Sequence, residues 1–137
     1  MSIVIYTDGG ARGNPGPAGA GVVAYDGQKK VFDLKKYLGD GKTNNWAEYE
    51  ALALGLQEAK KRGLGKGEVE VRMDSELIVR QMQGKYQVKE ETLWPQYMKV
   101  HNLIVANFSS IHFHHIPREQ NKEADRLVNE AIDEAKI

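Results

Sequence analysis

The sequence predicts an α/β fold in which a five-stranded mixed sheet is flanked by helices. Short apolar and β-branched runs dominate the first third of the chain, and segments with apolar residues every three or four positions follow. Strands and helices then alternate, an order typical of a sheet covered by helices. A length of 137 residues suits a single domain over residues 1–137, large enough to bury a core.

The first three strands are predicted to form an antiparallel meander. They cover residues 3–8, 20–25 and 29–38. Residues 9–19 contain five glycines and two prolines, which predicts a turn after the first strand. Asp26-Gly27 is a hairpin signal between the second and third strands.

The rest of the chain predicts four helices and two further strands. The helices cover residues 46–62, 75–83, about 95–106 and 121–136, and the strands cover 68–73 and 110–116. Thr43, Asn44 and Asn45 are candidate caps for the first of these helices, and Gly63 follows its end.

The composition excludes several classes of protein. The absence of cysteine excludes disulfides, thiolate metal sites and a thiol nucleophile. The sequence has no apolar run of the roughly 18 residues that a membrane span needs, and its first residues lack the basic segment of a secretory signal, so we expect a cytoplasmic protein. The formal net charge is zero, which at first sight disfavours a nucleic-acid partner.

Four carboxylates are distinguished by their positions at the ends of predicted elements. Asp8 and Asp74 each end a strand, whereas Glu48 and Asp125 each lie in the first turn of a helix. Each has a structural explanation when it is considered alone. Glu48 can complete a capping box with Asn45, Asp74 can cap the next helix, and Asp125 can be a solvated surface residue.

Taken together, the four carboxylates favour a metal site. If they converge, they repel one another, and some stay protonated unless a cation is present. Oxygen ligands suit hard cations such as Mg²⁺ or Mn²⁺ better than zinc. Two such ions about 4 Å apart can hold the attacking and leaving oxygens of a phosphoryl transfer.

The chain also resembles type 1 ribonuclease H along nearly its whole length. The motifs that carry the resemblance are Thr7-Asp8-Gly9-Gly10, Gly13-Asn14-Pro15-Gly16, Thr43-Asn44-Asn45 with Glu48, Asp74-Ser75, and His115 followed ten residues later by Asp125. The resemblance implies a ribonuclease H-like fold, with three antiparallel strands and then two strands parallel to the first. It implies endonucleolytic cleavage of the RNA strand of an RNA–DNA hybrid, which leaves 3′-hydroxyl and 5′-phosphate ends.

By the same resemblance, Asp8, Glu48, Asp74 and Asp125 are metal ligands as well as catalytic residues. They would hold two Mg²⁺ ions, for which Mn²⁺ can substitute, and Asp8 would bridge both ions. His115, near the end of the fifth strand, would assist proton transfer or departure of the product.

Eight residues are expected to contact the substrate. They are Gly9, Gly10, Asn14, Thr43, Asn44, Asn45, Ser75 and Glu76. The glycines let the backbone approach a sugar, and the asparagines offer donors and acceptors suited to groove edges and to the 2′-hydroxyl that distinguishes RNA. A plain turn at Asn14 and a helix cap at Thr43 or Asn45 are the structural alternatives. Glu76 can repel phosphate or join the outer metal shell.

Two further features have structural alternatives. His112, His114 and His115 lie close together, but strand alternation separates His115 from the other two, which disfavours a zinc site. Many ribonucleases H of this type have a long basic protrusion, which in residues 84–93 is short, with two Lys and two Glu. Tyr86 is expected to be a packing residue, as is Trp94, and substrate affinity is expected to be modest and salt-dependent.

Two other functions remain open to the sequence. A ribonuclease-H-like module can bind nucleic acid without cutting it, although all four acids are present here. An exonuclease of the same superfamily is disfavoured by the motifs at Asn14 and at residues 43–45. We expect a monomer with an RNA–DNA hybrid as its partner, and no protein partner or membrane. Outside the four acids, 19 basic groups face 15 acidic ones, so zero net charge does not exclude this substrate.

Overall fold

The computed structural model describes residues 2–136, so that Met1 and Ile137, the ends of the predicted domain, lie outside the described residues. Five strands are present: β1 (Ser2–Ala11), β2 (Gly16–Asp26), β3 (Lys29–Lys42), β4 (Glu68–Met73) and β5 (Ser110–His115). Four α-helices accompany them: α1 (Asn44–Lys61), α2 (Glu76–Met82), α3 (Trp94–Asn107) and α4 (Lys122–Ala135). No helix in this part of the chain is long and apolar enough to cross a membrane.

The strands form one mixed sheet in the order β3-β2-β1-β4-β5. β2 runs antiparallel to both β1 and β3, whereas β4 is parallel to β1 and β5 is parallel to β4. The predicted sheet is therefore confirmed, including the meander and the two later parallel strands. The carboxyl ends of β1, β4 and β5 meet at one edge.

The glycine-rich segment differs from its prediction. Residues 9–19 were predicted to be a turn, but β1 continues to Ala11 and β2 begins at Gly16, so only residues 12–15 form the turn. The backbone there pairs across the hairpin, with Gly9 opposite Ala20 and Gly10 opposite Gly19. Glycine is compatible with extended backbone, and its lack of a side chain leaves room for helices on both faces.

Alternate residues of the sheet serve two different helical layers. The main core contains Ile5 and Val22 from the central strands together with Leu52 and Leu56 of α1. The opposite face of β2 receives α4, whose buried residues include Leu127 and others on one stripe. The sheet thus lies between α1 on one face and α4 on the other.

Polar contacts accompany the apolar packing of α4. Lys30 pairs with Glu123 at 2.5 Å, and Lys35 pairs with Glu134 at 2.5 Å. The Tyr25 hydroxyl donates to Glu123 at 2.5 Å. These pairs are exposed or half-buried, so burial of apolar groups supplies most of the stability of this contact.

A close approach at Gly21 sets how near α4 lies to the sheet. A Cβ added at Gly21 would lie 2.2 Å from the carbonyl oxygen of Ala124 and 2.8 Å from the Cβ of Leu127. Both neighbours belong to α4, so the helix would have to move away from β2.

We expect Gly21→Ala to lower the free energy of unfolding by about 1–3 kcal/mol, because it overpacks this contact. Urea denaturation followed by circular dichroism measures the change. Gly10→Ala is the matched control, since its added Cβ would meet only a side-chain carbon of Val128 at an ordinary 3.8 Å. Equal denaturation midpoints for the two variants would contradict the role assigned to Gly21.

Candidate active site

The sheet register brings Asp8 and Asp74 to the same edge. β1 and β4 are parallel neighbours in which Tyr6 lies opposite Arg72. Asp8 and Asp74 each follow two residues later, so the two carboxylates leave neighbouring strands at the same level. The structural alternative that Asp74 caps α2 does not hold, because Ser75 is the cap and accepts from the Ile78 amide at 3.3 Å. The Asp74 carboxylate is therefore free for another role.

Glu48 reaches the same edge from α1. Its Oε1 accepts a hydrogen bond from the backbone amide of Gly9 at 2.8 Å. This contact needs a close approach, since a Cβ at Gly9 would lie 2.1 Å from the carbonyl oxygen of Ala47. The structural alternative of a capping box between Asn45 and Glu48 does not hold. The cap of α1 is Thr43, one of the predicted candidates, which accepts from the Trp46 amide at 3.2 Å.

Asp8, Glu48 and Asp74 converge on one point. Each offers a carboxylate oxygen, and these three atoms lie within 4.8 Å of one another. Asp8 and Glu48 are each only 7% exposed, whereas Asp74 is half-buried. Three acids this close, with two of them shielded from water, form a site that favours bound cations or protons.

The pKa values in the cluster reflect this environment. Burial, followed by the charges of Asp74 and Asp125, raises the pKa of Asp8 to about 8. Burial and then the charge of Asp8 raise the pKa of Glu48 well above its usual range, although the Gly9 amide opposes the shift. The pKa of Asp74 is also raised, chiefly by burial. Cations are needed to keep all three groups ionised at neutral pH.

Asp125 lies beside this trio on α4. Its backbone amide donates to the carbonyl oxygen of Asn121 at 3.1 Å, in the first turn of the helix. The side chain is 34% exposed and lies close enough to Asp8 to share a hydrogen bond with it. All four predicted acids thus line one cleft, with Asp125 on its more open side.

His115 lies at the rim and not in this cleft. It is the last residue of β5, opposite Met73, and it is exposed. Among the described residues, those that line the cleft do not include His115. Its position next to the residue that precedes Asp74 keeps it close to the acidic edge.

The cleft has a volume of about 520 Å³ and extends from the acids toward α4. Of the eight predicted substrate residues, Gly9, Gly10, Asn44 and Ser75 line it. Asn44 is held on both sides. Its Oδ1 accepts from the amide of Ala11 at 2.8 Å, and its own amide donates to Oδ1 of Asn14 at 2.9 Å.

The other predicted substrate residues surround this lining. Asn14 is exposed in the turn between β1 and β2, where it fixes Asn44. Thr43 is exposed at the start of α1, and Asn45 is half-buried in its first turn. Glu76 is exposed at the start of α2, and one of its oxygens lies 3.8 Å from Arg80.

Two arginines in the cleft were not predicted as site residues. Arg118 lies 3.8 Å from Asp125, and its positive charge opposes the burial that raises the pKa values of Asp8 and Asp74. Arg12 donates to Asp133 at 2.6 Å and to Asn129 at 3.0 Å, which ties the β1–β2 turn to α4. In the sequence both arginines lie in ordinary polar segments, so only their contacts with residues of α4 identify them as part of the site.

The structure also bears on the zinc site considered at the histidines and on the packing role expected of Tyr86 and Trp94. His114 lies 3.2 Å from Glu70, but within residues 2–136 the one group with metal-site geometry is Asp8 with Glu48 and Asp74. Tyr86 and Trp94, expected to be packing residues, are each 48% exposed, and Trp94 packs edge-on against Tyr97 with the ring centroids 6.4 Å apart. Both lie near the segment where the basic protrusion is short.

Comparison with known sequences matches the Reverse transcriptase-like family over residues 6–131. A bifunctional protein of Mycobacterium tuberculosis is 44% identical over 137 residues, which cover 98% of this chain and 36% of that protein. The chain thus spans little more than a third of the length of this relative. A ribonuclease H of Legionella pneumophila is 34% identical, with 98% of this chain and 99% of the relative covered.

Comparison with solved structures gives the same grouping. LC11-RNase H1, isolated from compost and crystallised in complex with an RNA/DNA hybrid, is 54% identical, with a TM-score of 0.94 and coverage of 98% and 99% of the two chains. RNase H1 of Halobacterium salinarum has a TM-score of 0.90 at 35% identity, with 98% of this chain and 99% of that chain covered. With its sheet order, its acidic cleft and these relatives, the chain belongs to the ribonuclease H group of the Reverse transcriptase-like family.

Proposed function

We propose that this chain is an endonuclease that hydrolyses the RNA strand of RNA–DNA hybrids with the help of divalent cations, leaving 3′-hydroxyl and 5′-phosphate ends. The observation that carries this proposal is the convergence of Asp8, Glu48 and Asp74, whose oxygens lie within 4.8 Å in a cleft. The RNA/DNA hybrid in the LC11-RNase H1 structure, which shares 54% of its residues with this chain, supports the choice of substrate.

The donor set fits hard divalent cations. Asp8, Glu48, Asp74 and Asp125 offer only oxygen atoms, and burial together with neighbouring carboxylates raises the pKa values of the first three, which supports a bound cation. We propose Mg²⁺ as the resident ion, with Mn²⁺ as a substitute, bound by these four residues. Held by these residues, such ions would supply an activated water and would stabilise the oxygen that leaves.

The chain's own groups hold the carboxylates in place. The Gly9 amide fixes one oxygen of Glu48, which leaves the other free to face the cleft. The parallel register of β1 and β4 holds Asp8 level with Asp74. His115 is exposed near the same edge, where we propose that it assists proton transfer or product departure without being essential.

The lining of the cleft suits a sugar–phosphate backbone. Gly9 and Gly10 present backbone without side chains, and Asn44 and Ser75 add polar groups beside the acids. We propose that these residues contact the RNA strand, where the 2′-hydroxyl distinguishes RNA from DNA. Asn14, Thr43, Asn45 and Glu76 surround them as contacts to the hybrid.

We further propose that residues 1–137 act as one ribonuclease H domain, as a monomer in the cytoplasm, without a protein partner. The two layers of helices share a single sheet, which supports one folding unit. The alternative of a silent binding module is not favoured, because related modules that lose activity usually lack one of the acids and all four line the cleft here.

Substitution of the clustered acids should abolish cleavage. We expect Asp8→Asn and Asp74→Asn each to lower kcat by at least about 10³-fold, because each removes a charge from the proposed metal site. The measurement is release of labelled fragments from an RNA–DNA hybrid in Mg²⁺. Asp26→Asn, an exposed substitution in the β2–β3 hairpin, is the matched control and should keep full activity.

A hybrid without free RNA ends and a change of divalent ion distinguish the proposed endonuclease from an exonuclease and from a binding module. A circular RNA strand in the hybrid should be cut, which an exonuclease cannot do. Hybrid binding without hydrolysis in both Mg²⁺ and Mn²⁺ would favour the binding module and overturn the proposed function. Chelation by EDTA should abolish cleavage, and added Mg²⁺ should restore it.

Substitution of Asp8 should also change stability in the absence of metal. The folded pKa of Asp8 is about 8, above the roughly 3.9 of an unfolded chain. This group therefore contributes most to stability below about pH 4, and its contribution is lost as the pH rises through 8. In EDTA at pH 8, we expect Asp8→Asn to raise the Tm by about 5 °C.

Thermal unfolding at a series of pH values measures this effect. The difference between Asp8→Asn and the unsubstituted protein should shrink toward pH 5, and Asp26→Asn should show no such trend. Excess Mg²⁺ should stabilise the unsubstituted protein more than the variant, since a ligand stabilises the state that binds it. Equal Tm values in EDTA at pH 8 would refute the mutual repulsion assigned to the cluster.

A further inference from the structure

Asn121, the residue immediately before α4, is buried for a reason other than helix capping. Asparagine is among the favoured residues at the start of a helix because its side chain can accept from the first free amides. Here the side chain makes no such cap bond, although the residue is only 1% exposed. Its Nδ2 instead donates to the backbone carbonyl of Thr7 at 2.9 Å.

This one residue joins the two segments that carry Asp8 and Asp125. Thr7 immediately precedes Asp8 on β1. The carbonyl oxygen of Asn121 accepts from the backbone amide of Asp125 at 3.1 Å. The side chain and the backbone of Asn121 therefore connect chain segments that are 114 residues apart in sequence.

The hydrogen bond from Asn121 to Thr7 contributes little to the free energy of unfolding. A buried neutral hydrogen bond contributes about 1 kcal/mol net. The second polar atom of the amide, Oδ1, accepts no hydrogen bond from the described protein atoms. An apolar side chain of similar volume would avoid burying that atom, so the amide is better explained by the position it specifies than by the stability it adds.

We propose that Asn121 is a positioning residue that fixes the separation of Asp8 and Asp125. This inference rests on the proposed function, because the separation matters through the cations that the two carboxylates share. Asn121 is not among the residues that line the acidic cleft, so it acts through the backbone at Thr7 and the first turn of α4. Such outer residues commonly change metal affinity 10–100-fold when they are substituted.

The test compares Asn121→Leu with the unsubstituted full chain. Calorimetric titration with Mn²⁺ alone, at neutral pH, should show at least about 10-fold weaker binding in the variant. Hybrid cleavage should show a similar fall in kcat while KM changes by less than about twofold, because the residues proposed to contact the substrate are not altered. A general loss of stability would not produce this split.

Asn107→Leu is the matched control. Asn107, at the end of α3, also donates its Nδ2 to a backbone carbonyl at 2.9 Å, but its partner is Leu103 and both lie far from the cleft. This variant should bind Mn²⁺ as tightly as the unsubstituted protein even if its Tm falls. Asn121→Ala, which removes the amide without adding an apolar branch, is the second test variant.

Each outcome has a defined meaning. Unchanged Mn²⁺ affinity in folded Asn121 variants, or an equal loss in Asn107→Leu, would overturn the positioning role. Failure of both Asn121 variants to fold would also overturn it, since the residue would then serve the whole fold. If the unsubstituted protein binds Mn²⁺ but does not cut the hybrid, the proposed function fails, and the Mn²⁺ comparison still decides the role of Asn121.

Discussion

The repulsion among Asp8, Glu48 and Asp74 is the constraint on which the rest of the structure depends. Three carboxylates within 4.8 Å are unfavourable, and the burial of Asp8 and Glu48 raises the energy of the ionised cluster further. The surrounding fold must therefore hold them together against their charge. A well-packed core beneath the site supplies this rigidity, with fully buried residues such as Ile5, Leu52 and Met73 behind the acidic edge.

Close backbone contacts transmit that rigidity to the acids. At Gly9 the strand touches the first turns of α1, and the amide of Gly9 holds Glu48 at 2.8 Å. At Gly21 the sheet touches the first turns of α4, which carries Asp125. In both places the absence of a side chain lets a helix approach until its backbone contacts the strand. The acids are thus placed by backbone contacts, which vary less than side-chain rotamers.

Much of the sheet could be predicted from the sequence because its signals are local. The alternation in residues 68–73 and the hairpin at Asp26-Gly27 specify strands without reference to distant residues. The extension of β1 to Ala11 could not be read in this way, since glycines that usually signal a turn are held extended by pairing with β2. Tertiary pairing overrode a local preference there.

The site shows the same division between local and distant causes. Asp8 and Asp74 were predicted to end their strands. Asp74 does follow the end of β4, whereas Asp8 lies within β1, and the parallel register brings the two residues level. The cap of α1, Thr43, is a local feature and was among the predicted candidates. The bond from Gly9 to Glu48 joins residues 39 apart, which no local pattern reports. Arg118 and Asn121 were not predicted, because both lie in a short polar segment before α4. Their roles depend on the tertiary contacts of Arg118 with Asp125 and of Asn121 with Thr7.

The link between Asn121 and Thr7 also has a consequence for how the protein is made. Asp8 on β1 leaves the ribosome before Asp125 on α4, because all the other strands and helices of the domain lie between them in the chain. A growing chain therefore has an incomplete acidic edge until α4 has been synthesised. The four acids can line one cleft only after α4 has docked on the sheet that β1 helps to form.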